Sequence, residues 1–570
     1  MTEQELKQLR EAKEKWEKEV RQPYVKECPE RRKEFKNDIE QVIEPLYTPL
    51  DLEERGFSYL KDLGFPGQYP WVRGFTPNGN RSSRGDKFCY ADCITGIYSG
   101  LGIAEEWNQR IKNLVKWGIE EVRIAIDLPT QVGYDSDNLM ARGEVGRTGV
   151  AIDSLEDMER LYEDVAIDKI PMGIGFMGNS WGPLALALNV VLGEKKGLKP
   201  SEYRVELQND PMKEFFARGT YIYPMEASVK LAADVYEWCA NNAPHWIAGY
   251  MCCSHINGAG AGSLKASAYA MMNGFLYLDE LVKRGYSVDQ IMPVMGFFFD
   301  EREDFFTMIS IYRASRKLWA KFMKERYGAE EGVGTSIMMT AYPHGGETLQ
   351  EPINNIIRIA LSALAFYLGG TNVLHPAGYD EAMATPGDQA AKLQIRTSQI
   401  VNNELGFNRT IDPLAGSYYV ESLTIDIANA MEAEIKKVEE EFGGPYGAIN
   451  AGYYQGWQTK NSFRRQEVVE SGDRLSVGVN IYPTDEGLPK GALRMDPKLE
   501  ERQVERLKKL KERRDNQKVK AALKEVKRAA EAGENTVESV LQAVRAYATV
   551  GEICDVWREI YGEYVSTNIL

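Results

Sequence analysis

Seven short apolar runs punctuate this chain at intervals of about 30 to 50 residues, and each ends on a polar or glycine-rich tail. They are Val122–Leu128 into Pro-Thr-Gln, Met172–Met177 into Gly-Asn-Ser, Arg204–Leu207 into Gln-Asn-Asp, Trp246–Cys252 into Cys-Ser-His, Val294–Phe299 into Asp-Glu, Ser336–Ala341 into Tyr-Pro-His and Gly369–Leu374 into His-Pro-Ala. Stretches of helical period fill the gaps. A strand, a tail and a helix, repeated in this way, predict an α/β chain folded as a (β/α)8 TIM barrel. The eighth and weakest strand is expected after the turn Asp412-Pro-Leu-Ala-Gly-Ser-Tyr-Tyr419. Chemistry in such a barrel sits at the carboxyl ends of the strands, so the tails are where function is to be sought.

A chain of 570 residues at 43% hydrophobic can bury a large core. A barrel of about 250 to 400 residues leaves room for additions at both ends. The expected units are an N-terminal helical and extended arm (1–55) that makes subunit contacts, the barrel (56–425) and a C-terminal helical extension (426–570). Helical periodicity marks Ile103–Trp117, which leads into the first strand, and Asp380–Leu405, Ser422–Phe442 and the hairpin Thr536–Tyr561; residues 496–534 read as solvated helices. Thr76–Gly85 reads as a long loop. A net charge of -15 excludes a nucleic-acid groove or an anionic membrane as the main partner, because either needs a clustered positive face. The seven cysteines are odd in number and scattered, as in a chain of reduced thiols, and Cys89 with Cys93 has no second pair to complete a zinc site. The first thirty residues are charged and no run approaches a membrane span, so a cytoplasmic protein is expected.

Three of the four histidines (His255, His344 and His375) fall just past a strand end. His255 is the strongest candidate, because the Ile-Asn-Gly-Ala-Gly-Ala-Gly262 that follows lets a large ligand approach the backbone. Its imidazole can donate a hydrogen bond to a carbonyl and polarise it. The three histidines can instead be read as ligands of a catalytic metal in a barrel lyase or hydrolase, although no paired histidine motif supports this and no metal is expected. Arg218, in the aromatic stretch Phe-Phe-Ala-Arg-Gly-Thr-Tyr-Ile-Tyr-Pro224, suits a carboxylate clamp, since its fork is bidentate and its charge permanent. Gly133-Tyr-Asp-Ser-Asp-Asn138 is dense in small polar groups but lacks the ending of a phosphate loop.

Gly133–Asn138, Gly149-Val-Ala-Ile-Asp153, Gln208-Asn-Asp210, Arg218-x-Thr-Tyr-Ile-x-Pro224, Gly369-Gly-Thr371, Asp380-Glu-Ala382, Asp412-Pro413 with Gly416-Ser-Tyr418, and Ala546-x-Ala-Thr-x-Gly-Glu-Ile-Cys554 occur in order along the chain. Together they resemble the large, catalytic subunit of adenosylcobalamin-dependent acyl-CoA mutases, the methylmalonyl-CoA mutase family. The resemblance implies a radical carbon-skeleton isomerisation of a carboxylated acyl thioester, in which the cofactor supplies the radical and the protein positions substrate and excludes water. It implies that His255 and Gln208 act at the thioester carbonyl and that Arg218 holds the free carboxylate. Tyr134, Ser136, Tyr342 and His344 fall on substrate-contacting segments, and Glu381, Ala382, Gly370, Asp135 and Asn138 on cofactor-facing ones.

Many relatives end in a cobalamin domain carrying Asp-x-His-x-x-Gly, and this sequence has no such motif and no cobalamin-binding Rossmann-like domain. The resemblance therefore implies a separate small cobalamin-binding subunit that supplies the cobalt ligand, a hetero-oligomer, and the G-protein chaperone of the family as a further partner. The chain also departs from the family at the substrate end. Phe88 stands at the place of a substrate tyrosine and Ala91 at that of a CoA-binding arginine, for which Arg81 and Arg84 are candidate substitutes. Val294 replaces another such arginine, Ser254 a tyrosine, and Ala341-Tyr-Pro-His-Gly-Gly346 the usual run after the seventh apolar segment's predecessor. These changes imply a larger alkylmalonyl or alkylsuccinyl thioester, or a non-CoA substrate. A non-catalytic homologue of the same fold is the remaining alternative.

Overall fold

The computed structural model describes residues 1–81, 94–300, 304–343, 348–484 and 496–566. Eight strands, β1 (Ile94–Ser99), β2 (Glu121–Ile124), β3 (Ile174–Met177), β4 (Val205–Gln208), β5 (Gly249–Cys252), β6 (Met295–Phe299), β7 (Met338–Ala341) and β8 (Val373–Leu374), run parallel in the order β4-β3-β2-β1-β8-β7-β6-β5. Between β4 and β5 the Leu207 N–H donates to the Ile247 carbonyl at 2.9 Å and the Ile247 N–H to the Val205 carbonyl at 3.0 Å, which closes the ring. The expected TIM barrel is present.

Two of its strands are not the expected ones. The first is Ile94–Ser99, paired with β2 from Gly96 opposite Glu121 to Ser99 opposite Ile124. Ile-Thr-Gly-Ile-Tyr-Ser is too mixed to read as an apolar run, so Ile103–Trp117 leads into the second strand rather than the first. The Gly369–Leu374 run supplies the eighth strand. No strand follows Asp412–Tyr419, because the ring already has no free edge to pair; that turn instead caps a helix, with the Ser417 hydroxyl accepting from the Val420 N–H.

Helices face the strands from outside: α1 (Ala104–Lys116), α2 (Leu155–Leu161), α3 (Gly182–Lys195), α4 (Met225–Asn242), α5 (Ser263–Lys283), α6 (Phe305–Tyr327), α7 (Asn354–Leu368) and α8 (Asp388–Glu404). The long α9 (Tyr418–Phe442) packs along α6 and runs across residue 425, while α10 (Tyr453–Glu470) covers the glycine-rich turn after His255, with Trp457 Nε1 donating to the Ala261 carbonyl at 2.8 Å. The last four helices, α11 (Leu499–Arg513), α12 (Asn516–Glu531), α13 (Val537–Arg545) and α14 (Val550–Tyr561), pack over the β2–β4 side, where Gln503 bonds both Asp153 and Asp157. The segment before the barrel covers its amino end: Trp71 Nε1 donates to Thr335 at 2.9 Å, and Arg316 grips the Trp71 and Val72 carbonyls at 2.9 and 2.8 Å.

Inside the barrel lies a layer of ionised side chains. Arg123 bonds Glu121 at 2.7 Å and Glu206 at 2.8 Å; Glu206 also takes Arg204 at 2.9 Å and the Tyr250 hydroxyl at 2.6 Å. His375 Nε2 hydrogen-bonds Glu121, and Nδ1 lies 3.3 Å from the Thr340 hydroxyl. Glycines on three other strands make the room: a Cβ at Gly96 would meet Glu121 and His375, one at Gly175 would lie 2.5 Å from Arg123, and one at Gly296 would lie 2.5 Å from the Tyr250 ring. Arg123 is 3% exposed and the others lie at 0%, so no water-wide passage runs past them. They form a floor beneath the carboxyl ends of the strands.

Candidate active site

The candidate site is built from the residues one inward step further along the same strands. β4 ends on Gln208 and β5 on Cys252, and the two ends are tied because Asp210 accepts the Cys252 N–H at 2.9 Å while Tyr277 and Asn273 bond its other oxygen at 2.5 and 3.3 Å. The chain then turns into the short helix Cys253–Gly258, which presents His255. Gln208 Nε2 donates to Cys252 Sγ at 3.2 Å, His255 Nδ1 lies 3.2 Å from the same sulfur, and Ser254 Oγ lies 3.3 Å from it. The two expected catalytic side chains therefore converge on one thiol.

Arg218 approaches from the segment after β4. Glu214 is buried and ion-paired to Lys213, and it accepts the Thr220 hydroxyl at 2.5 Å. Arg218 Nη1 stands 3.9 Å from Glu214, a long ion pair too far for a good hydrogen bond, and this buried atom has no hydrogen-bond partner; Gln208 Oε1 is likewise buried without one. Unpaired polar atoms at such depth are costly, and a ligand that pairs them recovers that cost. Burial pushes the His255 imidazole well below its ordinary value of 6.5, and the Lys213 and Arg218 cations push it further. It is thus neutral at pH 7, with one N–H to donate.

Tyr98 on β1 was not anticipated. Its hydroxyl donates to Met177 Sδ at the end of β3, and burial raises its phenol to about 12, with Arg218 pulling the other way. Recognising β1 would have exposed it, since Ile94, Gly96 and Tyr98 alternate inward. Tyr342, the residue after β7, hydrogen-bonds Glu381, whose other oxygen accepts the Gly378 N–H at 2.9 Å. Glu381 and Ala382 are both exposed on the turn after β8. One rim thus gathers Gln208, Arg218, His255, Tyr342 and Glu381, with Tyr98 and Cys252 added.

Other expected site residues stand elsewhere. Gly370 lies before β8, at the amino end of the barrel, where the Arg316 guanidinium bonds its carbonyl at 3.3 Å; this corrects its placement beside the cofactor-facing segment. Arg81 is exposed in the turn Gly79–Arg81, which packs on Phe407–Arg409 at that same far end. Asp135 is also corrected. Its carboxylate is consumed by the Thr549 hydroxyl at 2.7 Å, the Gly551 N–H at 2.6 Å and Lys511 at 3.0 Å, so it caps α14 instead of facing a cavity. Its neighbours follow the same layer: Tyr134 lies under Arg558 at 4.3 Å, the Ser136 N–H bonds Asp153 at 2.6 Å, and Asn138 caps its own turn through the Met140 N–H at 2.9 Å. His375 belongs to the floor, so it does not meet His255 at a common centre; among the described residues no cluster of metal-ligating side chains forms. Phe88, Arg84 and His344 lie outside the described residues.

The comparisons agree with this architecture. Residues 36–563 match the family described as methylmalonyl-CoA mutase. The chain is 34% identical to the 2-hydroxyisobutanoyl-CoA mutase large subunit of Aquincola tertiaricarbonis, over 99% of this chain and 98% of that one. It is 36% identical to the methylmalonyl-CoA mutase of Rhizobium meliloti (strain 1021), over 92% of this chain and 72% of the relative, and 34% identical to that of Escherichia coli (strain K12), over 92% and 71%. A match of this extent, on a barrel of this form, makes the chain a member of the methylmalonyl-CoA mutase family.

Proposed function

We propose that this chain is the large, substrate-binding subunit of a two-component cobalamin mutase that isomerises the carbon skeleton of a carboxylated acyl thioester. The observation that carries the reading is the convergence, on one rim, of a neutral His255, a Gln208 with a free carbonyl oxygen and an Arg218 whose Nη1 makes no hydrogen bond. A thioester carbonyl suits the His255 N–H, and a carboxylate suits the arginine. The residues fit adenosylcobalamin at the same mouth: Glu381 and Ala382 are exposed on the rim, and the turn Leu139–Ala141 leaves Leu139 and Met140 exposed after β2. When bound, the cofactor supplies the radical that begins the rearrangement. The chain's own part is to orient the acyl group, polarise its carbonyl and close the floor against water.

The cobalt ligand belongs to a small partner subunit in this reading. His245 bonds the Tyr203 carbonyl, His375 is paired with Glu121 and His255 faces Cys252, which leaves no described histidine presented to a corrin face. Coverage of 98% of a relative whose name is that of a large subunit supports the same division of labour. A hetero-oligomer and a G-protein chaperone complete the proposed assembly. The acyl group is proposed to be larger than methylmalonyl, because Ser254 is a small residue beside His255, with a non-CoA acid as the second reading; Val294, buried just before β6 at the amino end of the barrel, is corrected away from the substrate end. The test is to combine the chain with a small cobalamin subunit and adenosylcobalamin and follow cobalt(II) absorption. Candidate alkylmalonyl and alkylsuccinyl thioesters should each be compared with the free acid; a signal from none of them would overturn the reading.

A further inference from the structure

Gln208 and His255 do not touch each other; each touches Cys252. Cys252 is 0% exposed and its sulfur has three polar side-chain neighbours, Gln208 Nε2 at 3.2 Å, His255 Nδ1 at 3.2 Å and Ser254 Oγ at 3.3 Å, with the His255 backbone N–H also directed at it. The Gln208 amide nitrogen can only donate, so the thiol accepts from it. The thiol's own proton has two acceptors in reach, the imidazole Nδ1 and the Ser254 hydroxyl. An unprotonated imidazole nitrogen is the stronger acceptor, and the opposite arrangement would spend an imidazole N–H on sulfur, a weak one. Burial also keeps the thiol protonated by raising its titration point. The Cys252 backbone is fixed independently, through its N–H to Asp210 at 2.9 Å, so the sulfur's position does not depend on these side-chain bonds.

We infer that Cys252 is a positioning residue: its thiol donates to His255 Nδ1 and accepts from Gln208 Nε2, which sets His255 as the Nε2–H tautomer and turns the Gln208 carbonyl oxygen toward the ligand. The consequence matches the polar atoms left over. Gln208 Oε1 is buried without a protein partner, and no hydrogen bond of His255 Nε2 occurs among the described residues. One thiol thus orients both a donor and an acceptor toward the same space. The inference rests on the proposed role of His255 as a carbonyl donor, but the tautomer itself is a property of the chain alone.

Histidine-selective nitrogen-15 labelling tests it on the full chain without partner or cofactor, since only four histidines contribute signals. Long-range proton–nitrogen spectra should show one histidine, lost in His255→Gln, with a pyridine-type Nδ1 and a protonated Nε2. A protonated Nδ1 in that residue overturns the inference, whatever the enzyme's substrate. Cys252→Ser should keep the tautomer and most of the activity, while Cys252→Ala should mix the tautomers and lower kcat about 10- to 100-fold, with KM changed far less. Equal activity of Ala and Ser variants would also overturn it. If Cys252→Ala fails to fold, the wild-type and Cys252→Ser spectra still decide the tautomer. Failure of every acyl substrate with the tautomer intact would count against the proposed function alone.

Discussion

Two levels of the barrel interior, separated by two residues along each strand, differ in what their polar groups bond. On β4, Glu206 is bonded by Arg123, Arg204 and Tyr250, while Gln208 leaves its carbonyl oxygen unpaired. On β5, Tyr250 serves the floor and Cys252 serves the mouth. The lower level is closed by glycines on β1, β3 and β6 that admit large side chains; the upper level gathers Gln208, Cys252 and His255 around one sulfur. The floor's charges compensate one another as a buried ion network, although Arg123 keeps one Nη1 without a hydrogen bond, whereas the mouth holds unbonded polar atoms with no such network around Gln208. Damage to the floor should therefore appear as lost stability, and damage to the mouth as lost activity.

The largest effect is expected at Glu206. Glu206→Ala removes the buried carboxylate that two guanidinium groups and a phenol share, and should lower the unfolding free energy by about 3–5 kcal/mol, read from urea midpoints. Gln208→Ala, one level up, should leave the midpoint nearly unchanged while activity falls. If the two variants lose stability equally, the division of the interior into floor and mouth is wrong.

Acid titration gives a second view of the floor. Burial alone would raise Glu121, but Arg123 and then His375 outweigh it and hold its carboxyl down at about 2, against 4.5 for an ordinary glutamate. Because the folded value is depressed, the stabilisation is complete above about pH 4.5 and is lost as pH falls through about 2. Over that window the group should contribute about 3 kcal/mol of pH-dependent stability. Glu121→Gln should flatten that part of the profile; an unchanged acid slope would show that the carboxylate is not held as described.

At the mouth, Arg218→Ala should reduce kcat/KM for a carboxylated acyl substrate by about 100-fold, about 3 kcal/mol, with an uncharged analogue much less affected. The wild-type fold should persist, since Nη1 makes no hydrogen bond and only a long 3.9 Å ion pair to Glu214, which keeps Lys213 and Thr220 as closer partners. Equal loss on both substrates would remove the carboxylate-clamp role while leaving the floor untouched.

The barrel was legible because buried strands in a parallel sheet read as continuous apolar runs, and seven of the eight strands overlap such runs. β1 was not, since it carries Thr95, Gly96 and Ser99 among its six residues; its glycine exists to accommodate Glu121 and His375 from other strands, a fact no local pattern contains. The convergence of Gln208, Arg218 and His255 was visible as three strand-end motifs and their resemblance to a family. The floor was not visible, because charged residues such as Arg123 and Glu206 inside apolar runs reveal their partners only when the barrel closes. His375 shows the same limit: its position after a strand suggested chemistry, and its depth made it part of the floor.

Asp135 offers the smallest and most discriminating comparison, because its motif suggested the mouth while its contacts resemble the floor. Both oxygens are engaged, by Gly551 and by Thr549 with Lys511, and a Cβ at Gly551 would lie 2.8 Å from the Asp135 carboxyl carbon. Burial raises the carboxyl's titration point while Lys511 opposes the rise, so the net value of the interaction is modest despite its short bonds. Asp135→Ala should therefore lower stability by about 1–2 kcal/mol, the usual cost of a lost helix cap, and amide exchange should rise first in α14. Substrate KM should stay within about twofold of wild type, because a cap of this kind makes no contact with ligand. A large change in KM or in cobalamin affinity with α14 still protected would move Asp135 back to the mouth and break the division between a floor that holds the fold and a mouth that holds the substrate.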